Sequence, residues 1–243
     1  GALFSNTTAN GNTAVGNLSL YNNVSGDNTA IGYNALNDNT TGAYNCAVGA
    51  YALDENTTAD YNTAVGNYAL SVNTTGEYNT ACGTGSLDAN TTASNCSAFG
   101  GVSLSANTTG VDNNAFGVNS LAVNTTGYRN TTIGYNSQKE FKGVDSQGAP
   151  NIAMGIFSLE NNVQSGANIA IGNAALQYMG KDMTTTNVSG GYGNIAIGTA
   201  ALRGSHTGSY SSNTFRGDYN TAIGWQSLSI LKSATADKNT CLL

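Results

Sequence analysis

A five-residue pattern that alternates polar and apolar positions recurs along the whole chain and ends each time in glycine. Its first copy, residues 12–16, reads N-T-A-V-G, and eleven further copies follow. Successive glycines are 16 residues apart once, then 17 apart six times, and then 21, 17, 26 and 26 apart. Such a short fixed period is the sequence signature of a solenoid. The repeat glycines are Gly16, Gly32, Gly49, Gly66, Gly83, Gly100, Gly117, Gly134, Gly155, Gly172, Gly198 and Gly224.

The alternation within each copy has the period of two that is typical of a β-strand. It predicts that the second and fourth residues share the inward face, whereas the Ala before the fourth residue faces outward. Three and four residues after each glycine stand Ala or Ser and then Leu, which predicts a second short strand beyond a glycine bend. We therefore expect the fourth position to form the core, at Val15, Ile31, Val48, Val65, Phe99, Phe116, Ile133, Ile171, Ile197 and Ile223.

The stretch between each Leu and the next strand reads N-T-T-G or N-T-T-A, beginning at Asn39, Asn56, Asn73, Asn90 and Asn107, and at Asn124. Asn and Gly adopt turn conformations at low cost, so this stretch is predicted to be the return turn. An α-helical repeat is disfavoured, because Gly, Asn and Thr are poor helix formers and each helix would span about six residues. The fold class is therefore all-β: a parallel β-solenoid of about twelve 17-residue rungs.

The changes in repeat spacing define the predicted organisation. Residues 1–134 form a regular solenoid, and residues 135–228 continue it with loop insertions at 135–150, 177–193 and 203–219. Residues 229–243 are predicted to be a C-terminal tail. Insertions in a solenoid project from one side, which is often the binding side. Candidate partner contacts in them are Lys139, Lys142, Tyr178, Lys181, Arg203, His206, Tyr210 and Arg216, with tolerated decoration or contacts between subunits as the alternative.

Composition narrows the function classes. Charged residues make up 9% of the chain, the net charge is −6, and all eight basic residues lie at Arg129 or later, which argues against a nucleic-acid-binding face. No apolar run is long enough for a membrane span, so no membrane insertion is expected. A single histidine, His206, provides neither a multi-histidine metal site nor a catalytic constellation. We expect no enzyme activity, cofactor or metal site, and we expect Cys82 and Cys96 to be free thiols.

Several columns of identical residues have structural interpretations. Stripes of small residues on the outside of a thin coil favour close packing of three chains, with a tight pleat as the alternative. Tyr44, Tyr61 and Tyr78 recur at one repeat position and are expected to stack about 4.8 Å apart, and the repeated Asn is expected to form an amide ladder at a corner. The Thr pairs allow ice binding as an alternative. Twelve N-x-S/T sequons occur, including Asn6, Asn17, Asn95, Asn130 and Asn187, as a by-product of the repeat.

The repeat unit at Asn28–Leu36, followed by N-T-T-G at 39–42, resembles the repeats in shafts of bacteriophage tail fibres and related bacterial surface proteins. The N-I-A-I-G copies at 168–172 and 194–198 are also similar to repeats of trimeric autotransporter adhesin heads. The resemblance covers residues 12–228. It implies a trimeric left-handed β-roll or β-helix, located outside the cell or on a virion surface, whose role is attachment.

The sequence thus predicts an extracellular structural and adhesive fibre segment, a rigid shaft that presents loops to a host or another surface. Its expected partners are further copies of itself, as a homotrimer or a filament polymer, and a cell-surface glycan or protein receptor. One alternative is a subunit that polymerises end to end into an extracellular filament, because open solenoid ends expose unpaired strand edges. Another is an ice- or glycan-binding solenoid that functions as a monomer.

Overall fold

The protein, seen in a computed structural model, is an all-β parallel solenoid, as predicted. The structure describes residues 1–141, 150–162, 166–179, 191–204, 217–229 and 238–242, and these ranges contain thirteen three-residue strands and no helix. The last strand lies in the stretch predicted to be a tail. The strands are β1 (Thr13–Val15), β2 (Thr29–Ile31), β3 (Cys46–Val48), β4 (Thr63–Val65), β5 (Thr80–Cys82), β6 (Ser97–Phe99), β7 (Asn114–Phe116), β8 (Thr131–Ile133), β9 (Ile152–Met154), β10 (Ile169–Ile171), β11 (Ile195–Ile197), β12 (Thr221–Ile223) and β13 (Thr240–Leu242).

The chain divides into two compact units, Gly1–Val118 with strands β1–β7 and Asn119–Leu243 with strands β8–β13. Within each unit, every strand pairs in parallel with the next strand along the chain. The register always joins the same repeat positions, as where Ala64 lies opposite Ala81. Identical residues are therefore brought one rung apart, which is the geometry that allows side-chain ladders to form.

Each coil contains one strand, so the prediction of a second strand after the glycine was wrong. The residues after Gly66 form consecutive turns in which Tyr68 and Leu70 have φ angles of 55° and 54°. Left-handed residues cannot belong to an extended strand. The backbone nevertheless keeps its hydrogen bonds to neighbouring coils, because the N–H of Leu70 donates to the carbonyl of Ser86 at 2.9 Å. The backbone of this segment is thus hydrogen-bonded to neighbouring coils without forming a second sheet.

The assignment of the strand faces was also wrong. The Ala in the middle of strands β2 to β12 is fully buried, as at Ala64 and Ala98. The small residue after the glycine is also fully buried, and so is the Leu that follows it except at Leu228. The fourth position instead faces outward in both units. It is exposed at Val15, Ile31, Val65, Phe99, Phe116, Ile133, Ile171 and Ile223 and partly exposed at Val48 and Ile197, so none of these residues forms the predicted core.

Next to the strand, the interior of the coil is too narrow for the larger of the strand's side chains. Thr132 replaces the usual Ala, and its hydroxyl lies 2.7 Å from the hydroxyl of Ser120, which occupies the small-residue position after the glycine. Two facing positions that touch through such short side chains leave no volume for Val or Phe. Enlarging a well-packed interior costs energy, so the larger member of each alternating pair must face the solvent.

The Asn before the strands forms an amide ladder in the interior, which confirms the expected stacking of this column. Its members from Asn28 to Asn220 are fully or almost fully buried. In the first unit, the N–H of Asn62 donates to Oδ1 of Asn45 at 2.9 Å, and the N–H of Asn79 donates to Oδ1 of Asn62 at 3.0 Å. At Asn45, Asn62 and Asn79, Nδ2 also donates to a carbonyl of the next coil, as from Asn62 to Gly76 at 2.9 Å. Cys96 interrupts the column, and its Sγ instead lies 3.2 Å from the carbonyl oxygen of Gly110.

A second buried ladder comes from the N-T-T stretch, which the sequence predicted only as a return turn. Nδ2 of Asn73 donates to Oδ1 of Asn56 at 3.1 Å, and Nδ2 of Asn90 donates to Oδ1 of Asn73 at 2.9 Å. Each amide also donates within its own coil, as from Asn73 to the carbonyl of Gly76 at 2.9 Å. The turn is therefore held from inside by side chains that cannot be reached by water.

In the second unit the first ladder continues across the longest repeat spacings. Nδ2 of Asn220 donates to Oδ1 of Asn194 at 3.0 Å, although 26 residues separate them. The second ladder position is occupied by buried Phe141 and Met179 immediately before two of the gaps in the described chain. The strand and the first ladder thus stay in register on both sides of these gaps.

Candidate interaction surface

A continuous apolar column lies on the outer face of the strands in the first unit. We call it the outer stripe of this unit: Val15, Ile31, Val48, Val65, Cys82, Phe99 and Phe116. Val15 is 58% exposed, and Val65, Phe99 and Phe116 are each 38% exposed. The rings of Phe99 and Phe116 stack with centroids 5.0 Å apart. These contiguous exposed apolar side chains make the stripe a candidate interaction surface.

The second unit has its own outer stripe, at Ile133, Met154, Ile171, Ile197, Ile223 and Leu242. Here the other outward strand position is also partly apolar, because Ile152 is exposed and Ile169 and Ile195 are partly exposed. In the first unit that position carries Thr, Ser, Cys or Asn. The apolar surface is therefore wider in the second unit. Neither stripe contains a charged residue, although the chain carries a net charge of −6.

Two tyrosine columns flank strands of the first unit. Tyr44, Tyr61 and Tyr78 precede their strands and stack with ring centroids 5.0 and 4.9 Å apart, which confirms the expected stacking along the coil axis. Tyr51 and Tyr68 follow their strands and stack at 4.8 Å. Because each inner ring face is covered by the neighbouring tyrosine, the columns present mainly ring edges and hydroxyl groups to a partner.

Acidic side chains gather beside the second tyrosine column. Burial raises the pKa of Asp54 to about 6, and repulsion from Asp38 and Glu55 acts in the same direction. The folded protein therefore binds a proton at this carboxyl more tightly than the unfolded chain, whose pKa is 3.8. The protonated form stabilises the fold at low pH, and this stability is lost as the pH rises from about 4 to about 6.

We expect Asp54→Asn to remove this pH dependence and to stabilise the protein at pH 7.5 by about 1 kcal/mol, a value reduced for the solvent screening of a half-exposed group. The free energy of unfolding should be measured in urea at pH 4 and at pH 7.5. Glu77→Gln, in a different part of the coil, serves as the control. The same decline in stability with pH in the Asp54→Asn variant as in the parent would contradict the assignment.

The structure places Lys139, Tyr178 and Arg203 in the coil rather than in projecting loops. Nε of Arg203 donates to Oε1 of Gln177 at 3.0 Å, and its guanidinium lies 5.5 Å from the ring centroid of Tyr178. Lys139 forms an ion pair with Glu140 at 3.6 Å. These three residues belong to side-chain contacts along the coil. The other predicted contacts, Lys142, Lys181, His206, Tyr210 and Arg216, lie outside the described residues.

The four cysteines of the chain lie at four different repeat positions. Cys46, Cys82, Cys96 and Cys241 are all free, which confirms the expectation for Cys82 and Cys96. Burial raises the pKa of Cys96 to about 11, so this thiol is unreactive.

In the Thr pairs the hydroxyl of the first residue is hydrogen-bonded within the solenoid, as where Thr74 donates to the carbonyl of Thr91 at 3.0 Å. The second threonine of each pair is exposed, and ice binding by this column stays a prediction.

Comparison of the chain with family models, curated proteins and solved structures finds no match. The described part of the chain contains no helix that is long and apolar enough to cross a membrane. The outer stripes are therefore the feature from which a function must be argued. The sequence pattern had predicted that these residues form the core. The signal against it was the small residue at two positions of each repeat, the Ala in the strand and the Ala or Ser three residues after the glycine, which indicates a narrow interior.

Proposed function

We propose that the protein is a segment of an extracellular or virion-surface fibre whose copies associate side by side, as a homotrimer, through their outer stripes. The observation that carries the proposal is the stripe itself, an uncharged apolar column repeated once per coil. Water exclusion from apolar surface contributes about 25 cal/mol per Å², so a column of this length favours association strongly. The resemblance of the repeats to fibre shafts supports attachment as the role.

A second copy is the partner that fits the stripe best. The apolar side chains recur once per strand, and strands in a sheet are about 4.8 Å apart. A second solenoid has the same spacing, so all the side chains can be covered at once when two copies lie parallel and in register. Three such copies around one axis cover every stripe and leave the tyrosine columns at the edges for a surface receptor.

Replacing part of the stripe by serine tests this interface. We expect the triple variant Val65→Ser, Phe99→Ser, Phe116→Ser to sediment as a smaller species than the parent protein, with at least a tenfold weaker association. The matched control is Thr75→Ser, Thr92→Ser, Thr109→Ser, which changes exposed residues of another column and should leave the sedimentation unchanged. Unaltered association of the stripe variant, with an unaltered circular dichroism spectrum, would refute the interface.

Cys82 provides a test of orientation in the unmodified protein, because this free thiol lies in the stripe between Val65 and Phe99. Parallel chains in register place the Cys82 thiols of different copies at the same height. We expect a short bis-maleimide reagent to join Cys82 to Cys82, as identified by mass spectrometry of the linked peptides. Links that join Cys82 mainly to Cys46 or Cys241 would contradict the register.

A further inference from the structure

The sequon asparagines of the first unit fall into two groups that the sequence alone does not separate. Asn17 and Asn95 are exposed and Asn6 is partly exposed. The others have no solvent-accessible surface, although each is followed by a residue and then Ser or Thr. This buried group consists of Asn23, Asn39, Asn56, Asn73, Asn90 and Asn107.

Both amide protons of the N-T-T asparagines are used inside the solenoid. At Asn73, Nδ2 donates one proton to Oδ1 of Asn56 at 3.1 Å and the other to the carbonyl of Gly76 at 2.9 Å. Asn56 and Asn90 repeat this arrangement one coil away on either side. A substituent on Nδ2 would remove one of these hydrogen bonds and would have to occupy a position that is already filled.

N-glycosylation requires the same nitrogen. Nδ2 attacks the anomeric carbon of an oligosaccharide carried on a lipid pyrophosphate, a C–N bond forms and the sugar–pyrophosphate C–O bond breaks. The nitrogen gives up one proton to a base, and the lipid pyrophosphate leaves. The product has one N–H where the ladder needs two, and leaving a buried acceptor unsatisfied costs about 1–3 kcal/mol before the bulk of the sugar is considered.

We propose that folding and N-glycosylation exclude each other at the ladder asparagines of Gly1–Val118. Asn17 is exposed and lies in neither ladder, but Ser19, which supplies the hydroxyl of its sequon, is buried and donates to the carbonyl of Gly16 at 3.0 Å. Asn95 is also exposed, but its Nδ2 donates to Oδ1 of Asp112 in the next coil at 3.2 Å, which makes it a poorer acceptor. If the transferase modified the chain before folding, the glycans on the ladder asparagines would prevent the solenoid from forming.

The proposal does not depend on the fibre function, and it is tested on the full chain produced in bacterial cytosol without glycosylation. The folded protein and a urea-unfolded sample, diluted immediately before use, are incubated with purified oligosaccharyltransferase and its lipid-linked oligosaccharide. Site occupancy is read by mass spectrometry of the peptides. We expect the occupancy of Asn56, Asn73 and Asn90 to be about 100-fold lower in the folded sample than in the unfolded sample, because the ladder opens rarely.

Two single substitutions provide matched controls at one site. Thr75→Ala removes the sequon of Asn73 without changing the ladder, so this site should lose its glycan in the unfolded sample. Thr74→Ala keeps the sequon and removes only the hydroxyl bond to Thr91, so the unfolded sample should still be modified. Equal occupancy of Asn73 in folded and unfolded protein, or a glycosylated Asn73 in protein with a native circular dichroism spectrum, would overturn the proposal. An acceptor peptide with an N-x-T sequon, added to the folded sample, should be glycosylated and serves as the control for transferase activity.

Discussion

Replacing Gly66 by Ala should destabilise the protein by roughly 3 kcal/mol or more. Gly66 has a φ angle of 140°, a conformation in which residues with a side chain are strained. A Cβ atom there would lie 2.6 Å from the carbonyl oxygen of Gly83, which belongs to the backbone of the next coil and cannot move alone. The expected result is a large decrease in the urea midpoint of unfolding, measured by circular dichroism.

Gly101 provides the control for this prediction, since it stands directly after a repeat glycine in the same unit. A Cβ atom at Gly101 would have no atom within 4 Å. We expect Gly101→Ala to change the free energy of unfolding by less than about 0.5 kcal/mol. Equal effects of the two substitutions would show that the repeat glycine is not required by the close approach of neighbouring coils.

Replacing Asn73 by Ala should destabilise the protein by roughly 2–5 kcal/mol, because a ladder asparagine bonds to groups above, below and within its own coil. The variant leaves Oδ1 of Asn56 without the amide that donates to it, removes one acceptor of Asn90, and leaves a void in a fully buried position. Unfolding in urea at constant pH measures the effect.

The exposed Asn67 supplies a comparison of the same residue type in the same coil. Asn67→Ala should change the free energy of unfolding by less than about 0.5 kcal/mol. If Asn73→Ala were as mild as Asn67→Ala, the amide ladders would not hold the coil together. The two variants thus separate the ladder from the general effect of removing an asparagine side chain.

The repeat allowed much of the fold to be predicted. The period and the alternating residues predicted the strand before each repeat glycine at its observed position, and the repeated Asn predicted an amide ladder. Stacking of Tyr61 on its neighbours also followed from the period, because identical residues lie one rung apart. These features depend only on local pattern and on repetition, which the sequence contains directly.

The direction of the strand faces did not follow from the pattern. Alternation shows that Ala64 and Val65 face opposite sides, but it does not show which side is inside, and the greater hydrophobicity of Val65 favoured the wrong answer. The deciding quantity is the width of the coil, which depends on the facing turn. That turn keeps left-handed residues such as Leu70 instead of a second strand, a conformation that leucine rarely adopts.

The candidate surface was predicted only in part, because the direction of the strand faces also decides which residues are exposed. The trimer was expected from small residues on the outside, whereas the structure buries those residues and exposes the apolar stripe. The expectation of self-association therefore stands on a different surface from the one first considered. Arg203 and Tyr178 were expected in loops because the repeat spacing changes near them, but the coil extends further along the chain than the spacing indicates.

The native mass of the unmodified protein in solution, determined by light scattering across a range of concentrations, tests side-by-side association most directly. We predict a discrete species of about 74 kDa, three times the chain mass of 24.7 kDa. Particles that grow without limit with concentration would instead indicate end-to-end polymerisation. A stable monomer of 24.7 kDa at all concentrations would contradict association through the outer stripes.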